Sequence, residues 1–384
     1  MKINRKIKVI HLASFLGNIG DFANHQAFYK QFKKNIPAEF SQVEIRKFYK
    51  NRAEIKFDDS FVQLINRHDM FILGGGGFFD LNWDYSNTGT TIDFSEKFIQ
   101  DIKIPVLVNA MGYHEFKEVK EKNIKKFKNF LEIITSNKNW FLSVRNDGSF
   151  SRMQARYGNN ITDKIIKVPD NGFFYCPENY YQFHLQDKDT IWIGMNITND
   201  LFNKNFNNGL NADAFNYLMA QFVNRILKSK KKYKIIFFPH AHQDIGVIGA
   251  IMSKIEDKYK REKILVAPLF TQEKSIGQIF DLYRICSCVI AMRFHANVYA
   301  IGMNIPTIGL AGHQQIYSLY EELALLNRCV MANNDNFTDE LFHKLSSTLN
   351  TEDKIVKDYV KINATLNKQA VLYHNKIKDW IKNL

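Results

Sequence analysis

Cys288-Val-Ile-Ala-Met-Arg-Phe-His-Ala-Asn-Val-Tyr-Ala300 decides the fold. Its apolar beginning, Cys288–Met292, reads as a buried strand, and Ala296–Ala300 reads as the start of a helix. Arg293, Phe294 and His295 therefore stand at the carboxyl end of a strand and the amino end of a helix. Such a junction offers unpaired backbone N–H groups and the positive end of a helix dipole. Open α/β sheets take their ligands at these strand ends. A guanidinium that can fork onto an oxyanion, two residues from an imidazole, suits anion chemistry. The plainer alternative is an arginine paired with an acid and a histidine capping its helix.

The same alternation extends in both directions. Strand-like runs are Lys8–Phe15, Gln42–Phe48, Met70–Leu73, Pro105–Asn109, Trp140–Val144 and Ile165–Val168, then Ile191–Asn196, Lys234–Phe238, Ile264–Val266 and Thr307–Leu310. Helical windows separate them, among them Phe22–Lys33, Gly246–Lys258 and Gln315–Leu325. This is the pattern of mostly parallel sheets. Pro, Asn, Gln and Asp cluster without period over Pro177–Asp189, which marks a domain break. The reading is α/β, with two doubly wound domains facing across a cleft: residues 1–178, residues 188–349, and a basic amphipathic helix over 352–384 that packs back across the domains.

Lys and Arg number 52 against 39 Asp and Glu, a net charge of +13. The surplus is scattered lysine, which favours acidic small molecules or an anionic membrane surface. No zinc-finger spacing, RNA-binding aromatic motif or basic arm speaks for nucleic acid. Cys176, Cys286, Cys288 and Cys329 form no CxxC pair and read as buried thiols of a reducing compartment. No signal-peptide pattern is evident, and no apolar stretch approaches the ~18 residues of a membrane span. The expected location is the cytoplasm, with the basic tail compatible with contact at the inner face of the cell membrane.

Four further strand-end loops carry unusual residues. Gly17-Asn-Ile-Gly-Asp21 precedes a helix, where Gly20 lets the backbone approach a ligand and Asn18 and Asp21 are short polar groups; an ordinary Asp N-cap is the alternative. Gly74–Gly77, including Gly75 and Gly76, suggests a phosphate or sugar cradle or else a tight interdomain contact, and no Walker lysine follows. Arg145, in Ser143-Val-Arg145-Asn-Asp147, closes a strand and is either a second bidentate anion contact or the partner of Asp147 or Asp170. His240-Ala-His242-Gln-Asp244 has the look of a metal trio, but no fourth ligand is evident, so no metal is expected; hydrogen bonding to a substrate or an Asp244 cap are the alternatives. His114 follows another strand and is an acceptor contact or a surface histidine.

Taken in order, Asn18-Ile-Gly-Asp21, the glycine run, Ser143-Val-Arg145, Val168-Pro-Asp170 and Arg293-Phe-His295 followed by Gly302 to Pro306 resemble the polysaccharide pyruvyl transferase family over about residues 10–312. The resemblance implies two Rossmann-like domains in a GT-B-like arrangement. It also implies transfer of pyruvate from phosphoenolpyruvate, a co-substrate with no further cofactor, to a sugar of a bacterial surface polysaccharide or lipid-diphosphate-linked oligosaccharide. By position, Arg293 and His295 match the family's Arg-x-His pair for phosphoenolpyruvate, Arg145 a second anion contact, and Asn18, Gly20 and Asp21 its amino-terminal loop. His240 and Asp244 fall where members carry a polar loop. After Leu310 the chain reads Ala-Gly-His-Gln-Gln-Ile, where many members have an Asp and a Lys.

Phosphoenolpyruvate bears a phosphate and a carboxylate, which two arginines would clamp. His295 is then the general acid or phosphate partner, and Asp21 the leading base for a sugar hydroxyl, ahead of Asp170. Two rivals remain at this stage: a GT-B glycosyltransferase using a nucleotide sugar, and a non-catalytic scaffold of a glycan assembly complex.

Overall fold

The structure, a computed structural model, describes residues 5–49, 54–115, 119–176, 189–199, 210–229, 231–270 and 273–384. All of the expected domain break except Asp189 lies outside the described residues. The chain divides into two compact units, neither continuous in sequence: residues 1–16, 24–171 and 366–384 form the first, and 17–23 with 172–365 the second.

The first unit is built on six parallel strands. They are β1 (Ile7–Ala13), β2 (Ala38–Glu44), β3 (Met70–Gly74), then, past the short β4 (Phe79–Asp80), β5 (Val106–Met111), and past β6 (Tyr113–His114), β7 (Trp140–Arg145) and β8 (Ile165–Val168). Their order is β2-β1-β3-β5-β7-β8, while β4 pairs with β6 in a small separate ribbon. Side chains alternate between two apolar layers. Ile10, Leu12, Phe71 and Leu73 enter one cluster, and Val9, Met70 and Ile72 enter the other. A central parallel strand buried on both faces must be apolar throughout, and burying each Leu, Ile or Val removes about 1.5–3 kcal/mol of exposure cost.

The second unit repeats the principle with β9 (Ile191–Asn196), β10 (Tyr233–Phe237), β11 (Ile264–Val266), β12 (Cys288–Ala291), β13 (Thr307–Ala311) and β14 (Cys329–Met331). All six are parallel in the order β11-β10-β9-β12-β13-β14, the Rossmann strand order. Cys288 and Ile290 face one apolar cluster, Val289 and Ala291 the other. In each sheet the direction of winding reverses once, between β1 and β3 and between β9 and β12. The loops after β1 and β3, and Arg293 after β12, leave from those points, where α/β sheets bind ligands.

The structure corrects the reading of one strand and of the cysteines. The stretch expected as a strand over Gln42–Phe48 divides: β2 ends at Glu44 and Ile45–Phe48 is a 3-10 helix. The Glu44 carboxylate accepts the N–H groups of Phe15, Leu16 and Arg46, which turns the chain there. Of the four cysteines, Cys286, Cys288 and Cys329 are buried but Cys176 is exposed, because it follows the last short helical turn after β8 rather than a strand. No helix among the described residues is long and apolar enough to cross a membrane.

Candidate functional site

Seven residues singled out by sequence meet in the second unit. Arg293 is the N-cap of the helix Phe294–Gly302, its backbone N–H held by the Asn196 Oδ1 at 2.9 Å. Asn196 ends β9 and also donates to the Phe238 carbonyl (2.8 Å), so one buried amide aligns the loops after β10 and β12. The Arg293 guanidinium forks onto Asp244, Nε to Oδ2 at 2.7 Å and Nη2 to Oδ1 at 2.6 Å, with Nη2 also 3.2 Å from Thr198 Oγ1. Asp244 is fully buried and accepts the N–H groups of His240 (2.9 Å) and Ala241 (3.1 Å). Burial alone would raise its pKa, but the Arg293 fork outweighs it and holds the carboxyl below its ordinary value. Asp244 thus serves both as a cap of the helix His242–Met252 and as the counter-ion that fixes Arg293.

His295 lies in the first turn of the helix Phe294–Gly302 and is buried. Its Nδ1 stands 3.3 Å from Asp21 Oδ1. An ionised carboxylate there accepts Nδ1–H and leaves Nε2 as the ring's unprotonated nitrogen in the neutral form. Gly20 packs directly on the ring: a Cβ at that position would fall 2.5 Å from His295 Cβ. The Gly20 carbonyl accepts from Tyr299 Oη at 2.6 Å, and Asn18 Oδ1 accepts the Gly20 N–H at 2.9 Å. Asn18 pairs with Ala241 in an isolated antiparallel bridge, and the Ile19 N–H donates to the His240 carbonyl at 3.1 Å.

His240 is fully buried, with Nε2 2.7 Å from Tyr283 Oη. Burial, with Arg293 and His295 nearby, pushes its pKa down to about 3 against the opposing pull of Asp244, so its ring is neutral near pH 7. His242, the other half of the His-x-His pair, is exposed at the start of its helix. Among the described residues no group of three His, Cys, Asp or Glu side chains is placed to hold a metal ion.

The first unit gathers the rest. Gly74 and Gly75 have φ of +126° and +82°, a backbone that side chains rarely adopt. A Cβ on Gly75 would meet His25 at 2.8 Å, and one on Gly77 would meet His114 Nε2 at 2.8 Å. Buried Gly75 and Gly76 therefore lie against other side chains of the same unit. Arg145, almost fully buried, donates from Nε to Asp147 Oδ2 (2.7 Å) and has Nη1 3.6 Å from Asp170 Oδ2. Burial opposes ionisation of Asp147, but Arg145, His114 and Arg152 hold its pKa down to about 2. Asp170 also accepts from Asn24 Nδ2, 3.2 Å to each oxygen. His114 is half-buried between Gly77 and this ion pair rather than an isolated surface side chain.

Asn196, Thr198 and Tyr299 were not singled out by sequence. Asn196 had a readable signal, a polar residue closing an apolar strand; Thr198 and Tyr299 had none, since their partners are distant in the chain.

Solved structures share the fold at low identity. A glycosyltransferase from Rickettsia africae ESF-5 superposes with a TM-score of 0.56 at 10% identity, over 98% of this chain and 99% of that one. A UDP-forming trehalose-phosphate synthase from Burkholderia xenovorans gives 0.51 at 9% identity, over 99% of each. These likenesses place the chain in the two-Rossmann-like GT-B fold. No curated protein sequence matches it. The sequence model for polysaccharide pyruvyl transferases matches residues 18–314, which include every residue of both clusters, and the chain belongs to the polysaccharide pyruvyl transferase family.

Proposed function

We propose that the protein forms a cyclic pyruvate ketal on a sugar of a surface polysaccharide or its lipid-linked precursor, with phosphoenolpyruvate as donor and no further cofactor. The observation that carries this is the junction after β12, where His295, braced by Asp21, stands in the helix turn that begins at Arg293. Phosphoenolpyruvate needs an N–H-rich seat for its phosphate, which the helix start supplies, with the Arg293 guanidinium fixed beside it by Asp244.

The chemistry follows in balanced steps. A proton from His295 goes to the methylene carbon, which becomes a methyl group, and C2 becomes electrophilic. One sugar hydroxyl adds to C2 and its proton returns to His295, which restores the acid. Phosphate leaves with the electron pair of its C2–O bond, and a second hydroxyl of the same sugar closes the ring, its proton leaving on the phosphate. Net, one donor and one diol give one ketal and one phosphate. Asp21, expected from the sequence as the base for the sugar hydroxyl, stands 3.3 Å from Nδ1 and instead fixes the ring so that Nε2 is the nitrogen that moves the proton. The proposal places the donor on the second unit alone. Arg145, expected from the sequence as a second phosphoenolpyruvate contact, is engaged with Asp147 and Asp170 in the first unit.

The test is phosphate release from phosphoenolpyruvate across a panel of pyranosides and lipid-diphosphate sugars. His295→Ala should lower the rate by about 10²–10⁴-fold, and unchanged turnover removes His295 from the mechanism. Calorimetry separates the nucleotide-sugar reading suggested by the fold: heat with UDP-sugars and none with phosphoenolpyruvate rejects the proposal.

A further inference from the structure

A cationic pocket lies in the second unit, at the other end of its strands. It measures about 570 Å³ and is formed by residues between 323 and 362, all beyond the stretch matched by the family. Arg328 forms part of its wall and is only 9% exposed. It immediately precedes β14, and its Nε donates to the carbonyl of Thr307, the first residue of β13, at 3.1 Å. The pocket therefore sits at the amino-terminal edge of the strands, opposite the ends that carry Arg293.

The chemistry of Arg328 differs from that of buried Arg145 and of part-buried Arg293. Arg145 and Arg293 each hold an aspartate, whereas no carboxylate among the described residues lies within ion-pair distance of Arg328. Its contacts are neutral: besides Thr307, Nε reaches Tyr359 Oη and Nη2 reaches Thr348 Oγ1, both at 3.1 Å. Nη1 donates to no acceptor among the described residues. A buried guanidinium without a counter-charge is costly, and an incoming oxyanion relieves that cost.

The surroundings define the ligand further. Lys344, Lys354 and Lys361 line the pocket against a single carboxylate, Asp358. Lys344 is held by the Asn327 carbonyl (2.7 Å) and by Glu340 (3.4 Å), while Lys354 and Lys361 are exposed at the rim. Ser347 and Thr351 add hydroxyls, and Leu325, Ile355 and Ile362 supply an apolar wall. Guanidinium, ammonium and hydroxyl donors recognise phosphate, and an apolar wall recognises a hydrocarbon body. We propose that this pocket binds a phosphate monoester carried on an apolar molecule, at a site separate from the strand-end cluster.

The experiment is calorimetric titration of the full chain with dodecyl phosphate below its micelle concentration, with inorganic phosphate, and with phosphatidic acid vesicles. Saturable binding of one dodecyl phosphate is expected. It should weaken about tenfold or more in Arg328→Met, equivalent to one lost charge-assisted hydrogen bond. The double substitution Lys354→Glu with Lys361→Glu, on exposed side chains, should weaken it similarly, and Asp358→Asn should tighten it. Vesicle binding lost in the lysine double variant supports a lipid headgroup as the source. Dodecyl phosphate binding without vesicle binding supports a soluble ester. No binding, or binding that the rim substitutions leave unchanged, overturns the site. Inorganic phosphate binding as tightly as dodecyl phosphate overturns the apolar half of the proposal.

Discussion

Replacing Gly20 with alanine tests the placement of His295 without deleting a functional group. The added Cβ would stand 2.5 Å from His295 Cβ and 2.9 Å from its Cγ and Nδ1. Carbon atoms rest at about 3.5–4.0 Å, so one partner must move by roughly 1 Å. His295 Cβ is no flexible end, since it belongs to the first turn of the helix Phe294–Gly302. Gly20 is tied too, by Tyr299 and Asn18. Its φ lies outside the positive region, so alanine brings no backbone strain, only the overlap. Overpacking of this kind costs about 1–3 kcal/mol, and alanine's helix propensity returns up to about 1 kcal/mol. The protein should therefore stay folded with a displaced imidazole. A misplacement of about 1 Å costs on the order of 10²-fold in rate. The assay is phosphate release from phosphoenolpyruvate with a responsive acceptor, alongside urea unfolding. Gly249→Ala is the control: it lies in the helix His242–Met252 with nothing within 4 Å of its Cβ, and should leave turnover unchanged while gaining about 0.5–1 kcal/mol. Turnover of Gly20→Ala within threefold of the parent would refute the reasoning.

Asp244→Asn leaves the Arg293 guanidinium without its carboxylate in a buried setting, and should lower unfolding free energy by about 3–5 kcal/mol; a loss under about 1 kcal/mol in urea titration counts against the pairing as a structural element. Burial next to Phe28, with Lys34 adding to it, pushes the His374 imidazole down to about 4. The unfolded ring takes a proton near pH 6.5 and the folded one does not until about pH 4, so the unfolded state binds more protons and stability falls as pH drops through that window. The loss is about 1.4 kcal/mol per pH unit, roughly 2 kcal/mol at pH 5. His374→Phe should flatten the pH dependence of the urea midpoint by that amount, and an unchanged slope contradicts the assignment.

The strands of both sheets were legible wherever burial on two faces makes the sequence uniformly apolar, as in Met70–Leu73 or Ile191–Asn196. β2, at a sheet edge, reads Ala-Glu-Phe-Ser-Gln-Val-Glu and shows no such run, so its bounds could not be read. β14 has three residues, too few for a period. The helix expected over Gly246–Lys258 is two helices, His242–Met252 and Asp257–Lys263, and the first starts early because Asp244 caps it. Clusters of polar residues at strand ends exposed the strand-end loops of both units. Their partners stayed hidden: Asp244 lies 49 residues before Arg293, and only the adjacency of β10, β9 and β12 joins them.

The cysteine distribution gives the protein a built-in reporter. Burial pushes the thiols of Cys288 and Cys329 up to about 12 and that of Cys286 higher still, so at neutral pH all three stay protonated and shielded. Cys176 alone of the four is exposed. A maleimide dye should therefore attach at one position, just ahead of the segment that leads into β9. Spectroscopy on the second unit needs no cysteine removed and leaves Arg293, His295 and Asp21 untouched.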